Sequence, residues 1–158
     1  MSFDKSEKGG TRHKARECAL QMLFAADITS AVDPATVSRD YWKELGDESI
    51  DDRTREFANE LAIGTLSHLQ DIDDKIRTRA EHWRIERMAI VDRNVLRLAV
   101  YEFLFRDTPN TVAINEALET ARRFSSFEAT QFINGILDAI RQDLDSEGEK
   151  TKTHANSN

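Results

Sequence analysis

Little in this chain of 158 residues can interrupt a helix, and nothing can cross-link it internally. Two prolines and six glycines leave few of the tight turns that an all-β chain needs, so that class is excluded first. One cysteine, Cys18, cannot form an internal disulfide, and its place among Ala15, Ala19 and Met22 reads as a small core residue rather than a nucleophile. No long apolar run offers a membrane span, and Met1-Ser2-Phe3-Asp4-Lys5 lacks the apolar core of a secretory signal. A cytoplasmic protein with no membrane partner is expected. Also missing are a glycine-rich phosphate loop, a nucleophile elbow and any cysteine or histidine pair at metal-ligand spacing. His13, His68, His82 and His154 are scattered. The acidic pairs Asp51-Asp52 and Asp73-Asp74 stand beside helix starts, where capping and dipole complementarity explain them better than acid–base chemistry. Neither catalysis nor a cofactor or metal is expected.

What the chain does have is apolar side chains at helical spacing. A 39% hydrophobic content with eight Phe and two Trp supports one sizeable core. Residues 1–10 are polar, end in Gly9-Gly10 and read as a mobile basic arm, while 146–158 hold one apolar residue, Ala155, and read as a disordered tail. The single helical domain is expected over 11–145. Thr11 is placed as the N-cap of a first helix carrying Ala15, Cys18, Ala19, Met22, Leu23 and Ala26 on its apolar face. Asp33-Pro34 opens a second, closed by Gly46, with Val37, Tyr41, Trp42 and Leu45 buried. Ser49 and Asp51-Asp52 open a third, carrying Phe57, Leu61, Leu66 and Leu69, and Gly64 inside it marks either a close helix crossing or simple tolerance. A short segment with Ile72 and Ile76 ends near Trp83, and helices over Val112 to Phe124 and from Ala129 to Leu144 complete the set.

The helix before Thr108-Pro109 should be the centre. Val91, Val95, Leu96, Leu98, Ala99, Val100, Phe103 and Phe105 cover more of its circumference than a surface helix would show. Arg93 and Arg97 share one face, whereas Glu102 falls inside the apolar arc and needs a partner there. The amides near Val112 and Ala113 are suitable donors, and Glu102 reads as structural.

Charge is the functional signal. The net charge of -7 excludes a uniformly cationic nucleic-acid binder, yet Lys5, Lys8, Arg12, Lys14 and Arg16 lie in the first sixteen residues against only Asp4 and Glu7. Cations that follow phosphate, joined by groups that accept stacked bases, are the composition of a single-stranded RNA site. Arg12, Arg16, Leu20 and Phe24 form one stripe of the first helix, with Phe24 either a base platform or a core residue.

Three blocks carry a family resemblance: Asp92-Arg93-Asn94-Val95-Leu96-Arg97-Leu98-Ala99-Val100-Tyr101-Glu102, Val112-Ala113-Ile114-Asn115-Glu116-Ala117, and Phe132-Ile133-Asn134-Gly135-Ile136-Leu137-Asp138. With Ala15-Arg16-Glu17-Cys18-Ala19-Leu20-Gln21 as a fourth, the chain resembles the NusB family of transcription antitermination factors. The resemblance implies an all-α, compact bundle of about seven helices in two packed subdomains, three helices followed by four. It implies binding of boxA-like leader RNA together with NusE, a small-subunit ribosomal protein, and read-through by RNA polymerase with other Nus factors in ribosomal RNA operons.

It also suggests a site. The family's arginine run is represented by Arg12-His13-Lys14 with Arg16 after it, where His13 departs from the pattern, and the family's RNA surface also extends to the loop and start of the last helix, here Phe124 through Glu128 to Phe132. Phe127 and Glu128 depart from the usual arrangement. Asp92 stands at the acidic position to which the NusE contact is carried over, or else caps the central helix. A protein-only helical adaptor without RNA binding is the alternative.

Overall fold

The computed structural model describes the backbone over 3–30 and 33–156 and the side chains over 10–30 and 33–148. Among the described residues the chain forms seven α helices and one 3-10 turn, with no strand. They are α1 (Phe3–Thr29), α2 (Pro34–Glu44), α3 (Asp52–Ser67), α4 (Leu69–Arg79), α5 (Ile90–Phe105), α6 (Asn110–Phe124) and α7 (Phe127–Asn156), with the 3-10 turn at Ile85–Arg87. No helix among the described residues is long and apolar enough to cross a membrane.

The all-α expectation holds, and so does the placement of the central helix. Helix α5 packs against α1, α3, α4, α6 and α7. Val95 through Glu102 are all buried, because this helix is apolar nearly all round and its neighbours cover it from every side. Helices α1, α2 and α3 pack on one another, as do α4 to α7, and α5 joins the two groups through α1 and α3. This is the expected division of three helices followed by four.

Local chemistry explains most boundaries. Asp33 stands at the α2 N-cap position with Pro34 beginning the helix, and Asp51 caps α3 by accepting the Thr54 amide at 2.8 Å. Gly64 is a close crossing: a Cβ there would sit 2.2 Å from the Tyr101 ring of α5.

Several expectations are corrected. Helix α1 is already present at Phe3, so Thr11 lies inside it and is not its N-cap, and α7 continues to Asn156. No proline interrupts either segment, and backbone hydrogen bonding continues past the apolar face that periodicity detects. His68 separates α3 from α4, so Leu69 begins the next helix instead of ending the third, and α4 stops at Arg79, short of Trp83. Leu45 follows the last residue of α2 and is exposed, because the chain turns there before any neighbour can cover it.

Candidate nucleic-acid interface

The expected RNA-binding residues divide sharply by burial. Arg12 is exposed and has no carboxylate within 4.0 Å among the described residues. Lys14, also exposed, has only a loose contact with Glu17, at 3.8 Å. Both face a shallow groove completed by Ser49, Asp51 and Arg53 at the start of α3. Arg53 was invisible as a site residue in sequence because it follows two acids; only the packing of α1 on α3 brings it beside the basic stretch. The side chains of Lys5 and Lys8 lie outside the described residues.

Arg16 is different. It is 5% exposed, and its guanidinium donates to both oxygens of Glu102, Nη2 to Oε1 at 2.8 Å and Nε to Oε2 at 3.1 Å. Thr108 Oγ1 donates a further bond to Glu102 at 3.1 Å. Glu102 therefore obtains its partner from the same residue that was placed on phosphate. The amides of Val112 and Ala113 instead bond the Pro109 carbonyl, at 3.0 and 3.1 Å, so they are not its donors. A charge this deep is held by its counter-charge, and turning Arg16 toward a phosphate would leave Glu102 buried and unpaired.

His13 sits between two helices. Its Nδ1 lies 2.9 Å from Glu116 of α6 and its Nε2 3.1 Å from Glu17, one turn along α1. The hydrogen bond with Glu116 raises the imidazole pKa above its ordinary value; desolvation opposes the rise, and the charges of Glu116, Glu17 and Glu119 reinforce it. Glu17 is buried and also receives Arg123 from α6. His13 thus links α1 to α6 through these two carboxylates.

The second group of expected residues stands elsewhere. Asp92 lies in the first turn of α5, whose N-cap is Ala89, so it is not the cap. It accepts the Ser125 hydroxyl at 2.6 Å and so ties the start of α5 to the α6–α7 junction. Glu128 is exposed in the first turn of α7, where the helix dipole favours an acid. Phe132 is partly buried, edge-on to Trp83 with ring centroids 5.2 Å apart. Phe24 is 37% exposed and lines an apolar cleft of about 490 Å³ with Leu20, Leu45, Val91 and Phe124, so it is not a core residue. Its neighbours on α1 are covered by α3 and α5, but its own direction opens between α2 and α6.

Helices α1 and α5 run antiparallel, since Arg16 meets Glu102 while Asp27 meets Arg93. The basic start of α1 therefore lies beside the end of α5, and Asp92 at its beginning. Sixteen residues of helix separate these ends by roughly 24 Å. The fold keeps the basic residues and the α7 residues as two clusters.

Comparison with known proteins decides the family. A model described as the NusB family matches residues 13–142. The chain belongs to the NusB family. It is 49% identical over 144 residues to the transcription antitermination protein NusB of Koribacter versatilis, covering 90% of this chain and 97% of that one. Its counterpart from Desulfitobacterium hafniense is 43% identical over 141 residues, covering 89% and 94%. Among solved structures, NusB of T. maritima superposes with a TM-score of 0.74 at 37% identity, covering 83% of this chain and 90% of that one. A crystal structure of the antitermination factors NusB and NusE in complex with dsRNA matches with a TM-score of 0.73 at 25% identity, covering 84% and 97%. These relatives are antitermination proteins and not enzymes.

Proposed function

We propose that this chain is an RNA-binding transcription antitermination factor which, with NusE, holds boxA-like leader RNA and promotes read-through by RNA polymerase, acting with other Nus factors in ribosomal RNA operons. The observation that carries the reading is the likeness, over most of both chains, to a protein solved with NusE and RNA. The exposed cations at the start of α1 supply the matching chemistry on an otherwise acidic molecule. In this reading Arg12 and Lys14, with Lys5 and Lys8 of the same helix, neutralise phosphates. His13 orders the surface beside them, and Arg16 supports it from beneath. Glu128 and Phe132 form a second RNA contact at the start of α7, and Asp92 faces NusE.

Salt titration tests it. Two to four phosphate contacts on single-stranded RNA give a slope of log affinity against log salt of roughly -1.4 to -2.8. Replacing Arg12 and Lys14 together with Ala makes that slope shallower by roughly 1.4 and weakens all RNA sequences alike, since phosphate contacts carry no base information. Anisotropy of a labelled boxA-like RNA, with and without NusE, reads both effects. Asp92→Asn, which keeps an acceptor for Ser125 and removes the charge, weakens only the NusE-dependent part. Absence of RNA binding even with NusE present would favour a protein-only adaptor.

A further inference from the structure

The segment between α4 and α5 carries a side chain that folding leaves without a use. Trp83 is 62% exposed, although a tryptophan has more apolar surface to bury than any other residue. The segment is not loose. The Trp83 amide bonds the Ala80 carbonyl at 2.9 Å, and the Arg84 carbonyl receives the amides of Arg87 at 2.9 Å and Met88 at 3.1 Å. Ile85 and Met88 are buried and pin the turn to the core. One side of the indole rests on Phe132 of α7 at an interplanar angle of 61°, so its position is set while much of its surface stays open. An aromatic plane held ready in this way binds without first paying the entropy of ordering.

Its surroundings indicate what would cover it. Arg84 and Arg87 are exposed and have no carboxylate within 4.0 Å among the described residues. The acid between them, Glu86, is occupied by Arg77 at 3.0 Å. Glu81 is the remaining exposed acid of the segment, and His82 adds a titratable ring. An open indole followed in the same exposed segment by two guanidiniums without a salt bridge can take the face of a base, with cations nearby for the adjoining phosphates.

We infer that Trp83, braced by Phe132 and followed in the same exposed segment by Arg84 and Arg87, is a stacking platform for an unpaired base of bound RNA. The inference deepens the proposed function and rests on it: the ligand is still RNA, but single-stranded at this point, because a base inside a duplex has no free face to offer. It also gives Phe132 a different role, that of a brace beneath the platform. Sequence reading passed over Trp83 because it lies outside the basic stretch and between two helices.

The test uses the full chain and two probes, a single-stranded boxA-like RNA and the same strand annealed to its complement. Trp83→Leu keeps an apolar cover over Phe132 but removes the stacking plane, and Trp83→Phe restores a smaller one. For the single strand, Trp83→Leu is expected to lose about 5- to 150-fold in affinity, the equivalent of one stacked base, with the salt slope unchanged. Trp83→Phe recovers part of that loss, and the duplex is bound equally by all three proteins. Replacing Arg84 and Arg87 together with Ala flattens the slope by roughly 1.4. If the wild-type chain binds the single strand and Trp83→Leu binds it as well, the platform is wrong while the RNA function stands. If Trp83→Leu weakens NusE binding and leaves RNA affinity intact, the exposed indole is a protein contact and the inference is overturned. If the wild-type chain binds no single-stranded RNA with or without NusE, both readings fail together.

Discussion

Arg16 and Arg12 are the same residue type four positions apart on one helix, yet their environments give them opposite roles. Arg12 points to water, where a guanidinium is free for a phosphate; Arg16 is buried against Glu102. Removing one partner of such a buried pair strands the other charge, so Arg16→Ala should cost about 3 to 5 kcal/mol of stability. Arg12→Ala should change stability by less than about 0.5 kcal/mol while weakening RNA binding. Urea denaturation of the two variants checks this, and equal midpoints would place Arg16 at the surface. The sequence identified Glu102 as a buried acid in need of a partner, because its neighbours on α5 are apolar. It could not name Arg16, which lies 86 residues away and resembles a member of the basic cluster.

At the scale of the helix, periodicity gave the buried faces and left the extent of each helix open. All six residues assigned to the apolar face of α1 are buried, as is the middle of α5. Apolar residues at helix ends were less legible: Leu45 and Phe105 fit the pattern of their helices yet are 68% and 44% exposed. Periodicity says which side of a helix a residue is on, but cover at an end depends on where the next segment goes. Gly64 shows the same division. Its position in α3 suggested a crossing, and only the packing identified Tyr101 as the partner. Gly64→Ala should therefore destabilise the protein by about 1 to 3 kcal/mol, the overpacking outweighing the better helix propensity of alanine. Gly135, on an exposed part of α7 with open space around it, should respond in the opposite sense, Gly135→Ala gaining up to about 1 kcal/mol. Thermal unfolding of both variants distinguishes a tight crossing from an average glycine effect.

At the scale of the whole molecule, the three-helix and four-helix groups are joined by apolar contact with α5 and by ionic ties from α1. Arg16 reaches Glu102, His13 reaches Glu116, and Asp27 accepts from Arg93 at 2.9 Å, Asn94 at 2.7 Å and Arg97 at 3.1 Å. Arg97 also holds Asp73 of α4, so this tie spans three helices. Burial alone would raise the Asp27 pKa, but the bonds from Arg93 and Asn94 and the charge of Arg97 outweigh it and hold the carboxyl below its ordinary range. That stabilisation is present above the unfolded carboxylate value and is lost as acid titrates the folded group. His13 works in the other direction. Its folded pKa is raised, so its contribution is complete below the ordinary histidine value near 6.5 and disappears as pH rises through the folded value. With the side chain 34% exposed, solvent screening keeps the effect below about 1 kcal/mol. Between about pH 6 and 8.5 the wild-type melting temperature should fall slightly more than that of His13→Gln, and identical pH profiles would show that the imidazole does not tie the groups together.

The sequence by itself determined that the chain is helical, that α5 is its centre and that positive charge gathers at its beginning. Each of these is a local property, set by the spacing of apolar side chains or by composition over a short stretch. Tertiary structure decided which cations remain free. Arg16, Arg93 and Arg97 are as basic as Arg12, Arg84 and Arg87, but helices brought from far along the chain give the first three carboxylate partners and leave the others facing water. A cation's availability depends on its neighbours in space, and those are fixed only when α1 closes on α5.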